Sequence, residues 1–332
     1  MTEPTRRTIL SAAGAATLGA LAPSLGSAPA AAAAPPAGTQ APGYYRYKVG
    51  DFEVTAVTDG AVTSPLAENF VVNVKRAEVS AALAAAHRPA ETLTVPYTPV
   101  VVNTGAKLVV IDTGQGEAAF ERTKGAAGQF LRNLAAAGID RNAVDAVVIS
   151  HFHGDHVNGL LTADNRPAFP NAEVLVPRVE WAYWMDDGEM SRAPAGRMQD
   201  LFRNNRRVFD AIGRKVTPYE WDKDVVPGIR AVGTVGHSPG HTSYIVASGS
   251  GRVFVQSDVT NVPVLFARHP GWHAGFDQDP QAAEATRRRV YDMLVAEKMP
   301  VQGFHYPFPG LAHLEKAGDG YRETLAPWSP TL

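Results

Sequence analysis

The sequence predicts an α/β protein in which two mixed β-sheets pack together and helices flank them, an αββα sandwich. Three observations carry this reading. Short Val/Ile-rich runs recur in pairs joined at Gly, Asn or Asp positions, as strand hairpins do. Helical stretches fall between blocks of hairpins, an order that suits sheets packed on one another with helices outside. No repeat with a period of 20–50 residues and no internal linker interrupts residues 39–332, so a single domain is the economical organisation.

The elements follow in order. YYRYKVGDFEVTAVTDG (44–60) reads as two short strands around a tight turn at Gly50-Asp51, with roughly alternating apolar and polar positions from Phe52 to Thr58. RAEVSAALAAA (76–86) is helical by propensity. TPVVVNTGAKLVVIDTG (98–114) is a hairpin turning at Thr104-Gly105. Residues 117–137 read as one helix with Phe120, Phe130, Leu131 and Leu134 turned inward and Gly138 as its stop. AVDAVVIS (143–150) and NAEVLVP (171–177) are strands, and an aromatic segment, PRVEWAYWMDD, follows the second. Residues 196–212 are helical, and GIRAVGTVG, TSYIVAS and GRVFVQSD supply three further strands between 228 and 258. Asp279 caps a clear helix that begins with Pro280 and carries Val290, Met293 and Leu294 on one face; the run Arg287, Arg288, Arg289 on it reads as a solvated face. VQGFHYPFPG (301–310) is a last strand that runs into a loop.

The first forty residues are a different material. Arg6-Arg7 precede a mild apolar run and an Ala/Pro tract to about Gly38, the layout of a secretory leader. The run is too short and too alanine-rich for stable membrane insertion, and Thr-Arg-Arg-Thr-Ile-Leu is similar to a twin-arginine signal. Residues 1–38 are therefore expected to direct export to the periplasm or beyond, leaving residues 39–332 as the mature domain. The whole chain of 332 residues carries a net charge of −2; removing two Arg and one Glu with the leader leaves 29 basic and 32 acidic residues, a net of −3. Such a balance argues against a nucleic-acid partner. With no cysteine, the chain has neither disulfides nor a thiolate ligand or nucleophile.

HFHGDH (151–156) places three histidines and an aspartate in six residues directly after an apolar strand. His151 and His153 are two apart and can face one ion, Gly154 permits a sharp bend, and Asp155 and His156 can then face a second. Imidazole with carboxylate suits Zn²⁺ or a related first-row metal. Partners stand at other strand ends: His241 in GHSPGHT, Asp258 in FVQSDVT, His305 in GFHYPFPG and Asp112 in VVIDTG. His237 competes with His241 four residues later, but Ser238-Pro239-Gly240 breaks any helix that would bring both to one ion, so His241 alone is expected to be the ligand. His87, His269, His273 and His313 lack such a context.

This set resembles the metallo-β-lactamase superfamily over residues 50–310, and the exported methyl parathion hydrolase-like and lactonase group within it. The resemblance implies that His151, His153 and His241 hold a first metal. It implies that Asp155, His156 and His305 hold a second, that Asp258 bridges them and that Asp112 orients a ligand histidine. Two departures stand out: Ser-Pro-Gly-His replaces Thr-Pro-Gly-His, and Asn158-Gly159 replaces Gly-Gly, which is tolerated unless Asn158 needs a positive φ. Related enzymes are often homodimers.

Two divalent ions about 3.5–4 Å apart can turn a shared water into hydroxide at neutral pH, and no Gly-x-Ser-x-Gly elbow offers a rival nucleophile. Zn²⁺ is the default, with Mn²⁺, Co²⁺ and Fe²⁺ accepting similar ligands. Asp155 and Asp258 are the expected catalytic carboxylates. Phe120, Trp181, Tyr183, Trp184, Phe202, Tyr306 and Phe308 are the aromatic candidates; if they line the cleft, the substrates are uncharged lactones, aryl esters or phosphotriesters. The rival functions are a β-lactamase, a glyoxalase II-like thioester hydrolase and a periplasmic metal-binding protein without catalysis. The complete ligand set argues against the last.

Overall fold

Side-chain alternation sorts the valine-rich runs into layers. Val100 and Val102 enter one core and Val101 another; Val109 and Ile111 part from Val110 in the same way, and Val253 and Val255 from Phe254. A strand buried on both faces requires this two-residue period.

The computed structural model describes residues 37, 38 and 40–332, of which Ala41–Leu332 form one compact unit. The leader expected over residues 1–38 lies outside the described residues apart from its last two. The first strands are β1 (Tyr44–Val49), β2 (Phe52–Val57), β3 (Gly60–Pro65), β4 (Thr92–Tyr97), β5 (Val100–Asn103), β6 (Leu108–Ile111), β7 (Ala146–Val148), β8 (Glu173–Pro177) and β9 (Val216–Tyr219). They build a seven-stranded sheet in the order β1-β2-β5-β6-β7-β8-β9, with β3 and β4 as a separate two-stranded sheet. A second seven-stranded sheet follows chain order: β10 (Asp224–Val226), β11 (Ile229–Gly233), β12 (Thr242–Ser248), β13 (Gly251–Ser257), β14 (Val301–Gly303), β15 (Leu311–Ala317) and β16 (Gly320–Leu325). Strands β6 to β9 run parallel, as do β13 and β14; the other pairs are antiparallel, so both sheets are mixed.

The helices are α1 (Arg76–Ala85), α2 (Ala118–Arg122), α3 (Phe130–Ala136), α4 (Gly154–Val157), α5 (Arg178–Trp184), α6 (Asp187–Arg192), α7 (Arg197–Ile212), α8 (Pro263–Phe266) and α9 (Pro280–Glu297). Phe130 and Leu134 of α3, Trp184 of α5 and Phe202, Val208 and Phe209 of α7 pack on the outer face of the first sheet. Val290, Tyr291 and Leu294 of α9 cover the outer face of the second. The layers therefore run helix, sheet, sheet, helix, as the sequence predicts. Asp279 caps α9 by accepting the Ala282 N–H at 3.0 Å. No helix among the described residues is long and apolar enough to cross a membrane.

Three expectations need correction. Residues 117–137 do not form one helix: Lys124, Gly125 and Gly128 take φ of 52°, 83° and 80°, and these left-handed residues end α2 before α3 begins. The buried Asp59 carboxylate accepts the N–H groups of Gly128 and Phe130 at 3.2 and 2.9 Å, stabilising the break. The chain after residue 303 does not end in a loop, because β15 and β16 form a hairpin turning at Gly318. Its outward side is charged, which hid the strand signal. Arg287 is not on a solvated face: it is 2 % exposed.

Candidate metal centre

The site forms where strands of both sheets end on a shared edge. Asp112 follows β6, His151 follows β7, Asp258 follows β13 and His305 follows β14. Asp112 and Ser257 are non-glycine residues at φ of 59° and 51°, sparsely populated geometry of the kind that functional sites retain.

His151 Nε2 lies 3.1 Å from His153 Nδ1, which lies 2.8 Å from His237 Nε2. Burial and the neighbouring imidazoles push His151 and His153 well below the usual histidine pKa, so both rings stay neutral and keep lone pairs for a cation. Beside this trio, His156 Nε2 is 3.6 Å from Asp155 Oδ2 and 3.3 Å from Asp258 Oδ1, and His305 Nε2 is 3.4 Å from Asp155 Oδ2. Asp258 stands between the groups: its Oδ2 is 3.1 Å from His305 Nε2 and 3.3 Å from His237 Nε2. The sets His151/His153/His237, His151/His156/Asp258 and Asp155/His156/His305 each bring one ligand atom per residue within 4.8 Å of the others.

The outer ring nitrogens of His156, His305 and His237 are tied down. Asp112 accepts from the Ser150 N–H at 2.8 Å, the Ser150 hydroxyl at 2.7 Å and His156 Nδ1–H at 2.9 Å, so His156 Nε2 points inward. His305 Nδ1–H donates to the Pro96 carbonyl at 2.7 Å and His237 Nδ1–H to Asp277 at 2.8 Å. Outer hydrogen bonds of this kind set the tautomer of a metal-binding imidazole. The protein also passes a test of fit. His156 Nε2 and Asp258 Oδ1, both shut off from solvent, have no hydrogen-bond partner, a cost that divalent cations would relieve. Burial disfavours charge on His237, but the hydrogen bonds its ring donates to the Asp258 and Asp277 carboxylates outweigh it and push its pKa up to about 9. Burial likewise opposes charge on Asp258, yet His305 and His156 hold its carboxyl well below the usual range. The pocket is arranged for positive charge, and it can hold two divalent metals.

His241, expected to complete the first trio, does not reach it. Its Nδ1–H donates to the Thr234 carbonyl at 3.0 Å and its Nε2 accepts the Asp258 backbone N–H at 3.0 Å, so no lone pair remains free. His237 takes the place. The turn itself prevents both from converging, and the buried Glu180 holds that turn by accepting from the Ser238 hydroxyl and from Gly240 N–H at 2.9 Å. Serine thus keeps a hydroxyl donor at the position where threonine was expected. Asn158 takes an ordinary φ of −65°, so the second departure costs nothing.

The substrate pocket also needs correction. Above the donors lies a cleft of about 330 Å³ lined by Phe70, Val95, Tyr97, Leu201 and Phe276, with Gln115, Arg197 and Asn261 as polar neighbours. Phe120, Trp181, Trp184, Phe202 and Tyr306 are not among its walls. Phe120 lies under the Arg132 guanidinium, and Trp181 packs on Phe152 and Phe209. Trp184 and Phe202 are fully buried against each other, and Tyr306 is buried with its hydroxyl 2.6 Å from that of Tyr291. Leu201 was on a helix legible in the sequence. Phe70 and Phe276 lie outside the regular elements and carried no periodic signal.

Comparison with known proteins agrees with this architecture. Residues 95–294 match the family profile described as the metallo-beta-lactamase superfamily. The N-acyl homoserine lactonase of Bacillus thuringiensis is 25% identical over 226 residues, covering 63% of this chain and 81% of that protein. That of Bacillus cereus is 26% identical over 227 residues, with the same coverage. Among solved structures, AidC, described as a dizinc quorum-quenching lactonase in complex with a product, superposes with a TM-score of 0.80 at 24% identity, over 86% of this chain and 98% of its own. The hydrolase AbOPH gives 0.79 at 25%, over 88% and 100%. A profile match across more than half of the sequence, on a helix–sheet–sheet–helix fold with its histidines and aspartates gathered at one sheet edge, places this chain in the metallo-β-lactamase superfamily.

Proposed function

We propose that this hydrolase opens uncharged lactones with apolar tails, using two metal ions held by His151, His153, His237, Asp155, His156, Asp258 and His305. The observation that carries the reading is the position of five of these donors, His153, Asp155, His237, Asp258 and His305, at the floor of a cleft whose walls are mainly apolar. Two bound divalent cations, for which zinc is our choice, would supply Lewis acidity to a carbonyl and lower the pKa of a water.

The chain's own groups do the rest. Asp258 sits between the two donor sets and sets their spacing. Asp155, whose side chain is 19 % exposed, faces the cleft and is placed to take up a proton and pass it on. Phe70, Leu201 and Phe276 bury the apolar tail and exclude water. Addition of water across the ester bond yields a hydroxy acid, and the released proton leaves through the open side of the cleft. Phosphotriesters fit the same walls as slower, secondary substrates. We further assign residues 1–38 to a twin-arginine leader, which places the enzyme in the periplasm or outside the cell, and we favour a homodimer.

The test is metal analysis of the purified mature protein, followed by a panel of N-acyl lactones, aryl esters, paraoxon and nitrocefin. Two metals per chain and fastest turnover of long-tailed lactones are expected. Fastest turnover of nitrocefin, or full lactonase activity after complete metal removal, would overturn the proposal.

A further inference from the structure

The buried arginine of α9 joins the cleft wall to the first donor set. Arg287 Nη1 donates to the carbonyls of Pro270 and Trp272 at 2.7 and 3.1 Å, and its Nε donates to that of Val259, next to Asp258, at 3.2 Å. Its Nη2 reaches Asp277 Oδ2 at 3.5 Å, and the other oxygen of Asp277 takes His237 Nδ1–H at 2.8 Å. The side chains of Asp277 and Arg287 are each only 3 % exposed. Phe276, the residue before Asp277, lines the cleft and packs edge-on to the His237 ring, with centroids 5.6 Å apart.

A carboxylate so deeply buried would be costly without a cation beside it. Arg287 supplies that cation and, through three carbonyls, fixes where the carboxylate stands. Asp277 in turn leaves His237 one orientation and, once the ring gives up its second proton, one tautomer, with the proton on Nδ1 and the Nε2 lone pair facing His153. We propose that Arg287 and Asp277 are positioning residues that preset His237 for the first metal. The proposal rests on the reading of His237 as a ligand. It gives Arg287 a role distinct from that of its neighbours: Arg288 pairs with Glu284 on its own helix, and Arg289 reaches the Gly233 carbonyl from an exposed position.

The test uses the full-length protein with Asp277→Ala, Asp277→Asn, Arg287→Met and Arg287→Lys. In the metal-free protein well above pH 9, where the His237 ring is neutral, long-range ¹H–¹⁵N correlation reports which ring nitrogen of His237 carries the proton. Competition titration with Zn²⁺ and Co²⁺ then gives the affinity of each metal site. Asp277→Ala is expected to mix the His237 tautomers and weaken the first site by about 10–100-fold, while the second changes by less than about threefold. Asp277→Asn keeps an acceptor oxygen and should lose less. Arg287→Met should follow Asp277→Ala, with partial recovery in Arg287→Lys. If Arg287→Met fails to fold, the two Asp277 variants decide the matter. Unchanged tautomer and unchanged first-site affinity in Asp277→Ala would overturn the relay. A wild-type protein that binds no metal would defeat the ligand reading instead, and the tautomer measurement would still judge the relay.

Discussion

His237 and His241 differ by four positions, and their replacements should fail in different ways. His237→Ala removes one imidazole of the first trio, so the metal content should fall from two ions per chain towards one. His241→Ala removes bonds to the Thr234 carbonyl and the Asp258 N–H. Each is worth about 1 kcal/mol, and a stranded buried N–H adds about 1–3 kcal/mol. The sum of about 3–5 kcal/mol corresponds to a drop of about 5–8 °C in Tm, at an unfolding entropy of about 2.1 cal/mol/K per residue over Ala41–Leu332. The metal content should nevertheless remain near two ions per chain. Inductively coupled plasma mass spectrometry and calorimetric melting, run on both variants after identical metal loading, read the two effects. A His241→Ala protein that loses one ion, beside a His237→Ala protein that keeps both, would refute the assignment.

Two further outcomes follow from the same geometry. Phe276→Ala strips one wall of the cleft, and losing about 1.5 kcal/mol of apolar contact should raise KM about tenfold for long-tailed lactones; an equal effect on a lactone without a tail would show that Phe276 does not bind the tail. Because His237 is raised to about 9 from 6.5 in the metal-free protein, its proton favours the metal-free fold below pH 6.5, and that contribution is lost as pH rises through about 9. Metal uptake must displace this proton, so affinity should rise by up to about tenfold per pH unit towards pH 9. Titration calorimetry at pH 7 in buffers of different ionisation enthalpy should detect proton release; none would contradict the assigned charge state.

The layering was legible because Val100 to Val102 and Val109 to Ile111 are short unbroken apolar runs paired around Thr104-Gly105, as strands buried on both faces are. HFHGDH and the strand-end residues Asp112, Asp258 and His305 were legible for a related reason: a strand end is a local signal and the donors sit on it. The choice between His237 and His241 was not local. It depends on the Thr234 carbonyl, the Asp258 N–H and Glu180 58 residues upstream of Ser238, contacts that exist only once the sheets have packed. The pocket aromatics failed likewise, since Trp184 and Phe202 satisfy one another in a core. Arg287 looked solvated because its acceptors are backbone carbonyls, which carry no sequence identity.

Anomalous scattering at the zinc edge, from crystals of zinc-loaded protein, tests the central claim most directly. Two peaks are expected on either side of the Asp258 carboxylate, one about 2.0–2.1 Å from His151 Nε2, His153 Nδ1 and His237 Nε2, the other at the same range from His156 Nε2 and His305 Nε2 and about 2.0–2.2 Å from an Asp155 oxygen. No peak between these groups, or a peak ligated by His241 in place of His237, would contradict it.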